Sequence, residues 1–256
     1  MTSQCHIDWS RRFARKTVLY FTGLKNRVEG MEAELARVGL SDVERQWQYP
    51  SPFDKVLLRN VKHIPCFDGN PRGMGYFNSS MGHYRAIATA FHLGCESVLV
   101  MEDDIRFLKD VGRVAEIVGA LPDDFDVALL DSFFMTREPK GVNAEVITRW
   151  RNERKVNEHW AEFDSLYSLG CYALSRRGME RMMFAFEAVQ TAPKIGMIRI
   201  ADHFLKRGIL GAQMRLYFAR QNVAVQREMG AANSPPSDIR KKYEEMGFDL
   251  ADYADA

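Results

Sequence analysis

The sequence predicts an α/β protein: a largely parallel central sheet flanked by helices. Three observations predict it. Short apolar runs of strand length alternate with segments of helical periodicity along most of the chain. The chain opens with one complete strand–loop–helix unit. The run at 97–101 is continuously apolar after Ser97, as in a parallel strand buried on both faces.

Val18, Leu19, Tyr20, Phe21 and Thr22 form the first run, which ends at Gly23 and reads as a buried strand. Met31, Leu35 and Val38 then recur at helical spacing. Gly39 stands just past the last of them, where a helix stop is expected. Residues 46–76 read as irregular, because Pro50, Pro52, Pro65 and Pro71 with Gly69, Gly73 and Gly75 punctuate them. A second helix is expected from Ser80, capped by Ser79 or Ser80. Tyr84, Ile87, Ala88 and Phe91 share one of its faces, and Gly94 ends it.

The strand at 97–101 delivers the chain directly to Glu102, Asp103 and Asp104. Residues 111–121 read as a helix, and 127–130 as a strand ending at Asp131. Over 137–164 aliphatic residues thin out, while Arg149, Arg151, Arg154 and Lys155 sit among Asn, Glu and Trp. That stretch reads as a mobile surface excursion, not a core element. A strand at 172–174 and a helix from 176 to 189 follow. A short helix at 200–206 surrounds Asp202, and a last strand covers 222–226. Asn233, Ser234, Pro235 and Pro236 break that strand before an acidic helical tail. A single domain over 1–256 is expected, with a polar segment at 1–16 and a C-terminal tail at 240–256.

Composition sets the outer bounds. A chain of 256 residues that is 46% apolar can bury a sizeable core. A formal net charge of +1 gives no support to nucleic-acid binding. Cys5, Cys66, Cys95 and Cys171 show no C-x-x-C spacing, which argues against structural zinc and for buried free thiols. The N-terminus lacks the apolar core of a signal peptide, and no stretch approaches the roughly 20 apolar residues of a membrane span. The expectation is a cytoplasmic protein without a transmembrane segment.

Open α/β sheets bind ligands at the carboxyl ends of their strands. Glu102, Asp103 and Asp104 fall at that point. Adjacent carboxylates repel one another, and without a counter-ion they raise a pKa and oppose folding. A hard divalent cation, Mn²⁺ or Mg²⁺, removes the repulsion and prefers one or two carboxylates plus phosphate oxygens and water. A solvated acidic turn or a helix cap is the alternative reading of the same residues.

Several blocks, taken in order, resemble glycosyltransferase family 25, which contains bacterial lipopolysaccharide galactosyltransferases and collagen-type galactosyltransferase domains. Residues 24–40 resemble its opening block, Gly82, His83, Tyr84 and Arg85 a helix start, and 97–105 its strand running into Glu-Asp-Asp. Residues 125–130 resemble its Trp-Asp-hydrophobic strand, and 170–178 its aromatic-x-Leu-Ser-x-x-Gly block. Ile200, Ala201, Asp202, His203, Phe204 and Leu205 resemble its Val-Asp-x-x-Leu block. Val225, Gln226 and Arg227, with Ser237, Asp238 and Ile239, resemble its C-terminal signature. The blocks span nearly the whole chain. The opening strand and the Gly82–His83 step depart from the family pattern, and the basic excursion around Arg149 has no counterpart in it.

The resemblance implies a GT-A fold, a Rossmann-like sheet with the metal motif at a strand end. It further implies an inverting transfer of a hexose, galactose foremost, from a UDP-sugar to a glycan, glycolipid or protein-hydroxyl acceptor. Glu102 and Asp104 are then the expected metal contacts, with His203 as a neighbouring ligand. Asp103, Thr22, Arg27, His83, Arg85 and Gln226 are the expected donor-binding residues. Inversion needs a general base; Asp202 is the first choice, and Asp131, at another strand end, the second. A helix cap at Asp202 and purely structural roles for His83 and His203 stay open. Two rival classes are a catalytically silent sugar-nucleotide-binding protein on the same fold and a metal-dependent phosphohydrolase.

Overall fold

The computed structural model describes residues 7–20, 25–47, 71–131, 154–162, 169–191, 214–226 and 250–253. Within them the chain runs α1 (Trp9–Arg12), β1 (Arg15–Tyr20), α2 (Lys25–Arg37), β2 (Glu44–Trp47), α3 (Pro71–His92), β3 (Ser97–Glu102) and β4 (Ile105–Phe107). It continues through α4 (Val111–Gly119), β5 (Val127–Leu129), β6 (Trp160–Glu162), β7 (Cys171–Ser175), α5 (Arg176–Thr191), β8 (Leu216–Ala219) and β9 (Ala224–Gln226). A 3-10 turn at Leu250–Asp252 follows.

Alternation along the central strands builds two apolar layers. Val98 and Val100 of β3 face one side with Leu19 of β1, and there they meet Ala86, Ile87 and Ala90 of α3 and Met179 and Met182 of α5. Leu99 and Met101 face the other side with Val18 and Tyr20. That layer is closed by Met31 and Leu35 of α2 and by Val114, Ile117 and Val118 of α4. A strand apolar on both faces is stable only under such double cover.

The large sheet has the order β2-β1-β3-β7-β5-β8-β6. Parallel pairing joins β1 to β2, β1 to β3 and β5 to β8, whereas β7 runs antiparallel to both neighbours and β6 antiparallel to β8. The expected α/β class is therefore observed: β2, β1, β3, β5 and β8 share one direction, and the reversed β7 lies in the middle. A second, two-stranded sheet pairs β4 with β9, and a bridge from Leu108 to Tyr253 holds the 250–253 segment against it.

Both glycine stops form as expected. Gly39 and Gly94 adopt φ of 74° and 76°. The next N–H reaches back in each case, from Leu40 to the Leu35 carbonyl and from Cys95 to the Ala90 carbonyl, which closes a Schellman motif.

Three expectations need correcting. Helix α3 begins at Pro71, well before Ser80, so Gly73 and Gly75 lie inside a helix. Proline at a first helical position forfeits only an N–H that has no intrahelical partner there, and tertiary context overrides the weak propensity of glycine. The excursion 137–164 contains the edge strand β6, where Trp160 is fully buried and its indole N–H donates to the Ile117 carbonyl at 2.7 Å. The last strand is β9, shorter than 222–226 and paired with β4 outside the large sheet. Residues 137–153 and 163–164 of the excursion, the helix at 200–206 and most of the tail lie outside the described residues. No described helix is long and apolar enough to cross a membrane. Cys171 is a buried free thiol, as expected, whereas Cys95 is a free thiol only partly buried.

Candidate functional site

Strands that run together end together. The carboxyl ends of β1, β3 and β5 lie along one edge of the sheet, and the reversed β7 begins there. The Glu102 N–H donates to the Gly170 carbonyl at 2.8 Å, which fixes the start of β7 beside the end of β3. This edge gathers Glu102, the following turn residues Asp103 and Asp104, and Asp131 just past β5. Asp103, Asp104 and Asp131 are all buried.

The two helical layers each contribute a partner. From the first turn of α2, the buried Arg27 brings Nη2 to 3.0 Å from Asp103 Oδ1 and 2.7 Å from Asp104 Oδ2. From α3, the buried His83 places Nε2 3.2 Å from Glu102 Oε1, with Nδ1 3.0 Å from the Tyr172 hydroxyl. Gln226, at the end of β9, donates from Nε2 to Glu102 Oε2 at 3.1 Å. Glu102 is thus held by both oxygens, one from each side. Asn222 donates to Asp131 Oδ1 at 3.4 Å, and the Tyr253 hydroxyl donates to the Asn222 carbonyl at 2.9 Å.

These carboxylates strain one another electrostatically. Asp104 is pushed up to about 8, first by burial and then by Glu102, while Arg27 pulls the other way and Asp103 and Asp131 add to the rise. Burial, with the charge of Glu102, drives the Tyr172 hydroxyl well up. Burial, with the charge of Asp131, does the same to the Cys171 thiol. Asp104 Oδ1 is buried without a hydrogen-bond partner, and so is the Nε of Arg27. Gly170 is closely packed at this edge: a Cβ there would stand 2.5 Å from Asp131 Oδ2 and 3.3 Å from Gln226 Cγ.

Glu102, Asp103, Asp104, Arg27, His83, Asp131 and Gln226, all marked from the sequence, therefore meet at one edge. Arg85 leaves α3 two residues beyond His83, about 200° further round the helix. Thr22, Asp202 and His203 lie outside the described residues. Sequence reasoning missed Tyr172, Gly170 and Asn222. The available signal was a tyrosine in an otherwise apolar strand directly after a glycine.

Comparison with known proteins adds likenesses of shape. No protein-family model matches the chain, and no curated protein matches it. Among solved structures it is similar to a glycosyltransferase involved in the glycosylation of the major capsid of PBCV-1. That likeness has 9% identity, covers 90% of this chain and 98% of the other, and has a TM-score of 0.48. It is also similar to mannose-1-phosphate geranyltransferase from Thermus thermophilus, at 14% identity over 80% of this chain and 73% of the other, TM-score 0.38. Mouse xyloside xylosyltransferase 1 is a third, at 9% identity over 76% and 81%, TM-score 0.35. Likenesses this distant assign no role to any residue.

Among the described residues no three His, Cys, Asp or Glu side chains are grouped to hold a metal ion by themselves. The described residues form no closed protein cage at this edge. What does fit is a cation shared with a ligand's phosphates, for which one or two carboxylates suffice. Asp104 Oδ1, buried without a hydrogen-bond partner, is the atom that would meet such a cation.

Proposed function

We propose that the protein is a glycosyltransferase that binds a nucleotide-sugar donor at the carboxyl end of β3. The observation that carries this reading is a buried group of carboxylates at a strand end, with Arg27 among them and one Asp104 oxygen unpartnered. An apolar core would not retain such a group for stability, because unpaired buried polar atoms are costly. In the finer reading the donor is UDP-galactose or a related UDP-sugar, the cation Mn²⁺ or Mg²⁺, and the reaction inverting, as in family 25. The acceptor is a glycan, glycolipid or protein hydroxyl.

A bound cation would neutralise charge on the departing diphosphate as a Lewis acid. The protein's own groups do the rest. Asp104 would offer its open oxygen to such a cation. Glu102, held on both sides, keeps the edge negative and rigid. Arg27 supplies positive charge to the diphosphate. Asp131 is buried against Asn222, so it tunes the field, and we assign proton removal from the acceptor to Asp202.

A donor screen tests the reading. The protein is incubated with Mn²⁺, a panel of nucleotide sugars and a set of acceptors, and nucleotide release is measured. Release from a UDP-sugar that requires an acceptor is expected. Release without any acceptor would favour a phosphohydrolase, and UDP binding without turnover of any donor would favour a silent binding protein. Failure to bind UDP with Mn²⁺ overturns the reading altogether.

A further inference from the structure

Arg27 and Asp104 each leave one buried polar atom unsatisfied, and the two atoms are chemical opposites. The Nε of Arg27 is a donor without an acceptor, and Asp104 Oδ1 is an acceptor without a donor. Both residues are more than nine-tenths buried, and they are joined through their other atoms, Nη2 to Oδ2 at 2.7 Å. The same Nη2 also serves Asp103. A guanidinium opposite a carboxylate normally engages as a two-nitrogen fork. Here one nitrogen is shared between two carboxylates, and the Nε edge of the fork stays open.

We propose that Arg27 is the cluster's resident counter-cation, and that a divalent cation arriving with a nucleoside diphosphate moves its guanidinium from the carboxylates to the diphosphate. The proposal rests on the nucleotide-sugar reading above. A divalent cation alone is opposed by the positive charge of Arg27, which already stands against Asp103 and Asp104. A diphosphate alone is repelled by the acidic neighbours Glu102, Asp103 and Asp131. Bound together they satisfy both open atoms: the cation meets Asp104 Oδ1, and a phosphate oxygen accepts from the Nε of Arg27. The cation then replaces the guanidinium at the carboxylates, and the fork turns to phosphate, the group whose geometry it matches. Each component therefore binds weakly by itself and well in the other's company, a coupling that is reciprocal by linkage.

The position of Arg27 suits the exchange. It lies in the first turn of α2, the helix that follows β1. On the far side, Glu102 is held independently by His83 and Gln226, so loss of the Arg27 contact leaves that part of the edge in place.

The test measures two constants on the full chain. Mn²⁺ alone is titrated by loss of the free-ion paramagnetic signal, and UDP with saturating Mn²⁺ by calorimetry. In Arg27→Met, binding of Mn²⁺ alone should tighten and binding of UDP with Mn²⁺ should weaken, each on the order of tenfold. Arg27→Lys keeps the charge and removes the fork, so Mn²⁺ affinity should stay near that of the unaltered protein while UDP affinity falls. A merely structural arginine would weaken both constants together, and that result overturns the proposal. So does a Mn²⁺ affinity that Arg27→Met leaves unchanged. If Arg27→Met does not fold, an undiminished UDP affinity in Arg27→Lys overturns it. Absence of UDP binding in the unaltered protein is a separate outcome that removes the nucleotide-sugar reading itself.

Discussion

Asp126 and Asp104 are both buried aspartates at ends of the same sheet, and the protein treats them in opposite ways. At the amino end of β5, Asp126 accepts from Arg177 through two nitrogens, Nε at 2.6 Å among them, from the Arg215 N–H at 2.7 Å and from the Ser175 hydroxyl at 3.4 Å. Its carbonyl also receives the Ser175 N–H at 3.1 Å. A cleft of about 600 Å³ opens beside it, lined by Arg12, Asp124, Arg177 and Arg215. At the carboxyl end of β3, Asp104 has one contact to Arg27, one bare oxygen and like charges on several sides. A fully satisfied buried carboxylate fastens structure. An unsatisfied one stores a demand that a ligand can meet. An open cleft is thus a poorer guide to chemistry here than an unpaired oxygen.

The largest expected effect is on Asp104. In the folded protein its carboxyl is raised to about 8 from the 3.8 of an ordinary aspartate. Between those values the folded form holds a proton that the unfolded chain has released, so stability falls as pH rises from about 4 towards 8 and then levels. With chelator present, urea midpoints between about pH 5 and 8 should decline in the unaltered protein and stay flatter in Asp104→Asn. The variant should also be the more stable of the two at the alkaline end. Equal slopes would mean that Asp104 is satisfied after all and the contrast with Asp126 fails.

Asp126→Ala comes next. It strands the Arg215 N–H and removes the anchor of α5, at a cost of about 3 kcal/mol. For a chain of this size the melting temperature should fall by roughly 6–12 °C. UDP affinity, measured by calorimetry well below the new melting point, should be retained. Loss of UDP binding in a folded variant would place the amino end in the site and break the comparison.

Gly170→Ala sharpens it from the other side. The added methyl would press on Asp131 Oδ2 and Gln226. Overpacking of that kind costs about 2 kcal/mol, and here it should weaken UDP binding as well. A stability loss with no change in UDP affinity would detach Asp131 and Gln226 from the site. Ser175→Ala should do least, about 1 kcal/mol in a urea melt. It removes the hydroxyl that accepts the Gly178 N–H at 3.2 Å and the longest of Asp126's bonds, while Arg177 keeps the carboxylate paired. A loss as large as that of Asp126→Ala would mean the serine, not the arginine, is the fastener.

What was legible in the sequence follows the same division between local and distant causes. β3 announced itself because its apolar run is continuous, and α2 because Met31, Leu35 and Val38 sit at helical spacing before a glycine. β2 did not: Glu44, Arg45, Gln46 and Trp47 have no strand pattern. They become a strand through distant partners, with Arg45 on Glu32 at 2.6 Å and Trp47 stacked on Tyr20 at 4.6 Å between ring centroids. β6 was hidden by its polar setting. Asn157 builds a turn by accepting from the His159 and Trp160 N–H groups, both at 2.9 Å, and so feeds Trp160 into the core. At the site, the carboxylates after β3 were visible as a run of acids. That Arg27 would reach them, and that His83 and Tyr172 would stand in line with Glu102, depends on which helix covers which face of the sheet.

The reversed strand in the middle of the sheet has a consequence for how the chain is made. β7 pairs with β3 on one side and β5 on the other, so it is the seam between β2-β1-β3 and β5-β8-β6. As the chain leaves the ribosome, β3 emerges early and keeps one edge open until residues 171–175 follow. Contacts this distant in sequence are slow to form, and an apolar strand with an open edge is a template for pairing with another chain. Synthesis adds roughly 5–20 residues per second, so that edge stays bare for several seconds on every nascent chain. The strand that closes the sheet is also the one whose first residues set Gly170 against Asp131. Sealing the nascent edge therefore also brings the Gly170 carbonyl onto the Glu102 N–H, before Asn222 and Gln226 have been added to the chain.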